Sequence, residues 1–525
     1  MRKEIFFVLF AIILVGGTFI RFYDLTVRPI HHDEGVVGWF RLNIYNACLG
    51  PNAPSLGYGN YAGICSSKTA SLFCDMGYPL GPLTRYSEVC GRSYKYDPLY
   101  HGPFPYFFGA WVFSLFGISD YTLRLPGCAF AAASILLLLF LRKSLGDIGV
   151  LAASAFCSFS PVLVYYSQYA FFDDFFFFFS LGAFVCAVRY YAERKNRWLY
   201  LCAADMGFLY SVKENALIFT AVFVAYGILW LSLGLIRSLM KRKRINLRLD
   251  YKTVIEPMVF SVAIFAFVCA FFYTNMFMNS AGLWQSIANG VLFWVDKTNS
   301  WSGHFKPFDY FYTLLLKYEL LLVLFSILSL FSLKDGFSRF CAWWAVLSLI
   351  IYSMMPYKTP FIMPNFILPM ALLSGRAADY YTNRLRGLKK WIPVGLIIPA
   401  LLYSAASAWD VTYVHYSDNS NGLAYVPSTE PYNQMVSDVK AYCNNYTGNQ
   451  SCVHIKLADY WPLPWSLRDC KLLYGGGSAS LPVVISEKTD YSDIIESERQ
   501  KYGIPVKYEM RPGVYVYVYA RRVNS

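Results

Sequence analysis

Apolar residues run along this chain in long blocks with short polar breaks, and neither a 3.6-residue stripe nor a two-residue alternation dominates. The first block is 5-IFFVLFAIILVGGTFI-20. A membrane crossing takes about 20 largely apolar residues. By that measure the blocks predict eleven spans, near residues 5–20, 122–142, 147–168, 175–192, 198–212, 216–236, 254–273, 308–331, 340–355, 361–374 and 391–409. Arg2 and Lys3 precede the first block as in a secretory signal, but no small-residue cleavage site follows, so a spanning helix is expected there. The block 104-FPYFFGAWVFSLFG-117 is left out as a half-length helix lying at the membrane interface.

Composition agrees with this pattern. The 525 residues are 56% hydrophobic and only 15% charged, and the mean hydropathy is +0.37, too apolar for a soluble core. The net charge of +13 raises nucleic acid as a partner, but the basic residues cluster between spans. Arg142 and Lys143, Arg194 to Arg197, 241-KRKR-244, Lys334 and Arg339, and Arg384 to Lys390 recur at alternate loops, as the positive-inside rule expects of cytoplasmic ones. No nucleic-acid role is then needed. The expected class is a polytopic α-helical membrane protein with about 11 spans in residues 1–409, followed by a small extracytoplasmic α/β domain in 410–525.

The first outer loop, 21–121, contains a Gly-, Ser-, Tyr- and Cys-rich insertion at 44–93, whose Cys48, Cys65, Cys74 and Cys90 are enough for two disulfides of unspecified pairing. In the tail, 452-CVHIKL-457, 482-PVVISE-487 and 513-GVYVYVYARR-522 predict strands, and 431-PYNQMVSDVKAYC-443 and 490-DYSDIIESERQKYG-503 predict helices. Cys443 and Cys452 are placed to close a loop around sequons at Asn445 and Asn449.

Ionisable residues gather where spans meet the outer loops. The stretch 28-RPIHHDEGVVGWF-40 carries Asp33 and Glu34; 96-YDPLYHGPFPYF-107 carries Tyr100 and His101; 169-YAFFDDF-175 carries Tyr169 and Asp173. Lys213 lies in 211-SVKEN-215, His304 in 301-WSGHFKPFDYFY-312 and Lys358 in 352-YSMMPYKTPF-361. Each alone reads as a helix-end anchor; together they suit an anionic substrate. Lysine is a compact charge matched to phosphate, Asp33 suits a general base, and Glu34, Asp173, His101 and His304 are of types that coordinate a divalent ion, although no metal-spacing motif demands one. There is no P-loop or dinucleotide turn, so no nucleotide cofactor is expected.

At these motifs the chain resembles membrane glycosyltransferases of the GT-C fold, the class that includes protein mannosyltransferases and aminoarabinose transferase. More closely, RFYDLTVRPIHHDE, YDPLYHGPFPYF, YSVKENALIF, YSMMPYKTP, YWPLPWSLRD and RPGVYV resemble the prokaryotic, often archaeal, flippase-activity-associated family of N-glycosylation. The resemblance implies inverting transfer of a sugar from a polyprenyl or dolichyl phosphate to a glycan, lipid or protein acceptor at the outer face of the cell membrane. In it Asp33, Glu34 and Asp173 are catalytic, Lys213, Lys358, His101, Tyr100 and Tyr169 bind substrate, and His101, His304 and Glu34 hold any metal. A flippase, or an accessory to one, for lipid-linked sugars is the alternative. Two positions depart from the pattern: Gly102 stands where aminoarabinose transferase has a phosphate-binding lysine, and Gln168 where the closer family usually has arginine.

Overall fold

The computed structural model describes residues 1–48, 101–240, 254–277, 281–299, 305–331, 333–418, 420–445, 451–475 and 480–522. Tyr100, His304, the cysteines at 65, 74 and 90 and the sequon at Asn449 lie outside the described residues.

The bundle is built from α1 (Lys3–Phe22), α2 (His32–Cys48), α3 (Phe104–Phe116), α4 (Asp120–Leu137), α5 (Asp147–Phe159), α6 (Pro161–Ser167), α7 (Asp173–Glu193) and α8 (Asn196–Val212). It continues with α9 (Ala216–Met240), α10 (Glu256–Tyr273), α11 (Gly282–Asn299), α12 (Tyr310–Tyr318), α13 (Leu320–Leu330), α14 (Gly336–Met354), α15 (Pro364–Arg384) and α16 (Ile392–Trp409). Among the described residues eight helices are long and apolar enough to cross a membrane, or ten if two bent pairs each count as one span. The chain is a multi-pass membrane protein. The expected span at 198–212 is α8, whose 17 residues include Asp205.

The bends have identifiable causes. Between α5 and α6 the axis turns by 55° at Pro161, which has no N–H to continue the helical ladder. Between α12 and α13 it turns by 101° at Glu319, whose carboxylate accepts from Ser160 Oγ and, at 3.1 Å, from the Val162 amide. The two breaks therefore meet. Sequence reading passed over Glu319 because the apolar run around it dominates any window average.

The short block at 104–117 is α3, whose 13 residues span about 20 Å at 1.5 Å per residue, too little for a 30 Å hydrocarbon layer. Its Phe104 and the Phe run of α7 form a cluster of edge-to-face and tilted rings with Phe130, Phe208 and Phe272, centroids 4.6–5.8 Å apart. A helix that is phenylalanine on several faces is stable here because neighbours cover all of them.

The tail folds on a five-stranded sheet, order β2-β1-β3-β5-β4, from β1 (Val453–Lys456), β2 (Leu472–Tyr474), β3 (Val483–Ser486), β4 (Val506–Arg511) and β5 (Val514–Ala520). β1 pairs in parallel with β2 and β3; β5 pairs antiparallel with β3 and β4. Along VYVYVYA, Val516 and Val518 face α17 (Glu430–Asn444), while Tyr519 packs with Ile494 and Tyr502 on the opposite face, the two-residue period of a strand. The helix expected at 490–503 is instead a turn followed by a 3₁₀ segment, Glu496–Lys501. Of that stretch Ile494 and Tyr502 alone are buried, too little apolar surface to hold a full helix. Cys443 and Cys452 are disulfide-bonded, Cα–Cα 5.9 Å.

Candidate active site

The site forms at the end of the bundle where α1, α6, α8 and α14 finish and α7, α9 and α15 begin. Asp33 and Glu34 occupy the first turn of α2, where acidic groups complement the helix dipole. Although adjacent in sequence, they have different surroundings. The Asp33 side chain is 50% exposed, whereas Glu34 and its partner Arg124 are both at 0%.

Glu34 takes a bidentate pair from Arg124, 2.8 Å to each oxygen, and further donations from the amides of Ala170 at 2.9 Å and His31 at 3.1 Å. Burial works against its ionisation, but the guanidinium outweighs burial and holds the carboxyl below its usual range. Arg124 also donates to the carbonyls of Leu25, Arg28 and Pro29. It was not singled out from sequence, since one arginine in an apolar span gives no hint of its partner.

Asp33 is held differently. His32 Nδ1 lies 2.9 Å from its Oδ1, and its amide donates to His31 Nδ1 at 3.0 Å. The other nitrogen of His31 reaches the Tyr425 carbonyl at 2.7 Å, which fixes the tautomer. Burial opposes charge on Asp33, yet the hydrogen bond from His32 and the charge on that ring prevail, so its carboxyl sits below the usual range. His32 has Asp459 Oδ1 at 3.3 Å on its second nitrogen; burial would lower its pKa, but the two carboxylates push it up to about 9.

Asp173, the first residue of α7, receives Lys213 Nζ at 3.0 and 3.2 Å. Next to Lys213, Glu214 lies 2.8 Å from His101 Nδ1, and the His101 ring stands edge-on to Phe172 at 5.6 Å. His101 and Glu214 thus tie the segment before α3 to the segment before α9. Lys358 is buried and donates to the Lys306 carbonyl at 2.9 Å; desolvation lowers its pKa. Tyr169 is stacked on Phe171 at 5.0 Å, with the Arg28 guanidinium 4.0 Å over its ring. Among the described residues no three His, Cys, Asp or Glu side chains are grouped to hold a metal ion, and the oxygens of Glu34 already have four donors.

The two departures have structural reasons. At Gly102 a Cβ would overlap the Ser211 carbonyl, because the Gly102 amide donates to Val212 O at 3.0 Å; no lysine fits there. Gly102→Ala is expected to cost about 1–3 kcal/mol through this clash, read as a lowered melting temperature of the purified protein. Gln168 donates to the carbonyls of Ile20, Arg21 and Tyr23 at 3.2–3.3 Å, so it ties down the end of α1.

This arrangement of bundle, first-loop helices and tail sheet is the fold of the GT-C glycosyltransferases. Residues 100–245 match the family model described as dolichyl-phosphate-mannose-protein mannosyltransferase. The structure is similar to ArnT from Cupriavidus metallidurans bound to undecaprenyl phosphate, with TM-score 0.61 and 13% identity over 100% of this chain and 99% of that one. The apo state of the same protein gives 0.62, also at 13% identity, over 99% and 98%. The archaeal oligosaccharyltransferase AglB from Archaeoglobus fulgidus, in complex with an inhibitory peptide and a dolichol-phosphate, gives 0.55 at 10% identity over 98% and 74%. No curated protein matches the chain by sequence.

Proposed function

We propose that this protein is an inverting glycosyltransferase that moves a sugar from a polyprenyl or dolichyl phosphate to an acceptor hydroxyl at the extracytoplasmic face. The observation that carries it is one half-exposed carboxylate, Asp33, at the same end of a GT-C bundle as the buried Lys213 and Lys358 and as His101. Asp33 takes the acceptor proton, the acceptor oxygen attacks the anomeric carbon, and the bond from that carbon to the phosphate oxygen breaks. Polyprenyl phosphate leaves with the electron pair, and the anomeric configuration inverts.

Lys213 and Lys358 bind the phosphate and stabilise its growing charge. Lys358 suits this role because it donates to a neutral carbonyl, so an arriving anion favours the charge that burial disfavours. Asp173 holds Lys213 in place, and His101 faces the donor, while Tyr169, buried between Phe171 and Arg28, supports the wall behind it. Glu34, catalytic and metal-binding on the sequence expectation, is assigned a structural role instead, since its oxygens are fully engaged. No step is routed through a metal.

Carboxylates within the bundle, buried at Glu319 and half-buried at Asp205, favour a second reading, a flippase that passes a lipid-linked headgroup without breaking a bond. Purified protein incubated with radiolabelled polyprenyl- and dolichyl-phosphate sugars, with and without EDTA, separates the two. Transfer predicts label moving to acceptor and free lipid phosphate appearing; flipping in proteoliposomes with the donor intact would overturn it. Retained activity in EDTA is expected from the donor set among the described residues.

A further inference from the structure

The tail domain reaches the candidate base directly. After β1 the chain runs through 459-DYWPLPWSLRD-469 and forms a short turn of helix, α18 (Leu463–Ser466), which lies on α2. The contact is close because α2 presents Gly35 and Gly38 there: a Cβ on Gly35 would overlap Pro462, and one on Gly38 would press into the Trp465 ring. Trp465 is fully buried, stacks on Phe113 at 5.7 Å and donates to Asp120 at 2.9 Å. That side chain packs and does not present a face to sugars.

One turn earlier stands Asp459. Its Oδ1 is 3.3 Å from His32 Nε2 and its Oδ2 is 2.8 Å from Arg511 Nη2. Arg511, in β4, also donates to the Trp461 carbonyl at 3.2 Å. A continuous line therefore runs from the sheet through Arg511, Asp459 and His32 to Asp33.

We propose that Asp459 is a positioning residue for Asp33, acting through His32, so that the tail domain completes the active site. This rests on Asp33 being the base. An imidazole held at one nitrogen turns about its ring bond, whereas one held at both has a single orientation. With His32 fixed, the Asp33 carboxylate on its Nδ1 is fixed too, although half of that side chain faces solvent. Displacement of a reacting group by about 1 Å costs about 10²-fold in rate, which sets the scale of the effect.

The test uses the full-length protein and the radiolabelled donors above. Asp459→Ala is expected to lower kcat about 10- to 100-fold with KM for donor and acceptor little changed, and Asp459→Asn, which keeps an oxygen for His32, to restore most of it. Adding Asp459→Ala to His32→Ala should cost nothing further, the signature of one shared pathway. Trp465→Phe loosens the same docking face away from His32, and should lower the melting temperature while leaving kcat alone. Hydrogen exchange gives a readout without turnover: the amides of residues 31–34 should exchange faster in Asp459→Ala and not in Trp465→Phe. Additive losses, a rise in KM without a fall in kcat, or unchanged exchange at 31–34 would overturn the proposal. If Asp33→Asn is inactive while Asp459→Ala is normal, this inference alone fails; if Asp33→Asn stays active, the base assignment fails and takes it along.

Discussion

Asp33→Asn is expected to cut sugar transfer by about 10²- to 10⁴-fold, the range for loss of a positioned general base, while the protein still folds and inserts. The substitution is isosteric and the side chain is half exposed, so its stability cost should be about 1 kcal/mol or less. The wild-type carboxyl is held below its usual range, hence ionised throughout the physiological pH range and available to accept a proton. Release of labelled lipid phosphate measures the first effect, and thermal unfolding in detergent the second. An asparagine variant that transfers sugar at the normal rate would refute the assignment of Asp33. One that is inactive because it unfolds would leave His32 and Asp459, rather than a base, as the residues to explain.

The fold was legible in the sequence because membrane spans obey one strong rule: backbone polar groups must pair internally, so apolar length alone marks them. The expected spans at 5–20, 175–192 and 340–355 fall within α1, α7 and α14 or coincide with them to a residue. Two kinds of element were not legible. α2 carries Gly35 and Gly38, poor helix residues, and these glycines pack against Pro462 and Trp465, more than 400 positions away. Of the edge strands, Leu472–Tyr474 has only three residues and Val506–Arg511 shows no buried–exposed alternation, so the sheet itself provides their register.

The candidate site was legible as a set of motifs but not as a set of roles. SVKEN and YAFFDDF gave Lys213 and Asp173 separately, and their ion pair joins residues 40 apart in sequence. Glu214, which pairs with His101, sat in view beside Lys213 and was passed over. Asp459 lay in the quoted YWPLPWSLRD neighbourhood, but nothing local in an Asp-Tyr-Trp sequence says that the Asp faces a histidine in another part of the fold. Burial decides such roles, and burial is a tertiary property: Asp33 and Glu34 are chemically near-identical neighbours, and the 100° step between consecutive helix residues sends one to solvent and one to Arg124.

That division yields the second large expected effect. Arg124→Ala should cost about 3–5 kcal/mol, the penalty for leaving one member of a buried ion pair uncompensated, because both side chains are fully buried and three further carbonyls lose their donor with it. Against the roughly 5–15 kcal/mol that holds a typical domain together, this should appear as a large fall in melting temperature and in the yield of folded protein. The companion Glu34→Leu/Arg124→Met, which replaces the pair with apolar groups, should recover a substantial part of the loss, since desolvation is no longer charged against it. The same variants separate structure from chemistry. If Glu34 took part in catalysis, the double variant would be stable yet as inactive as Asp33→Asn; a structural Glu34 predicts that transfer recovers in step with stability. Unchanged melting of Arg124→Ala would show that the pair does not anchor α2, and with it the orientation of Asp33 would need another explanation.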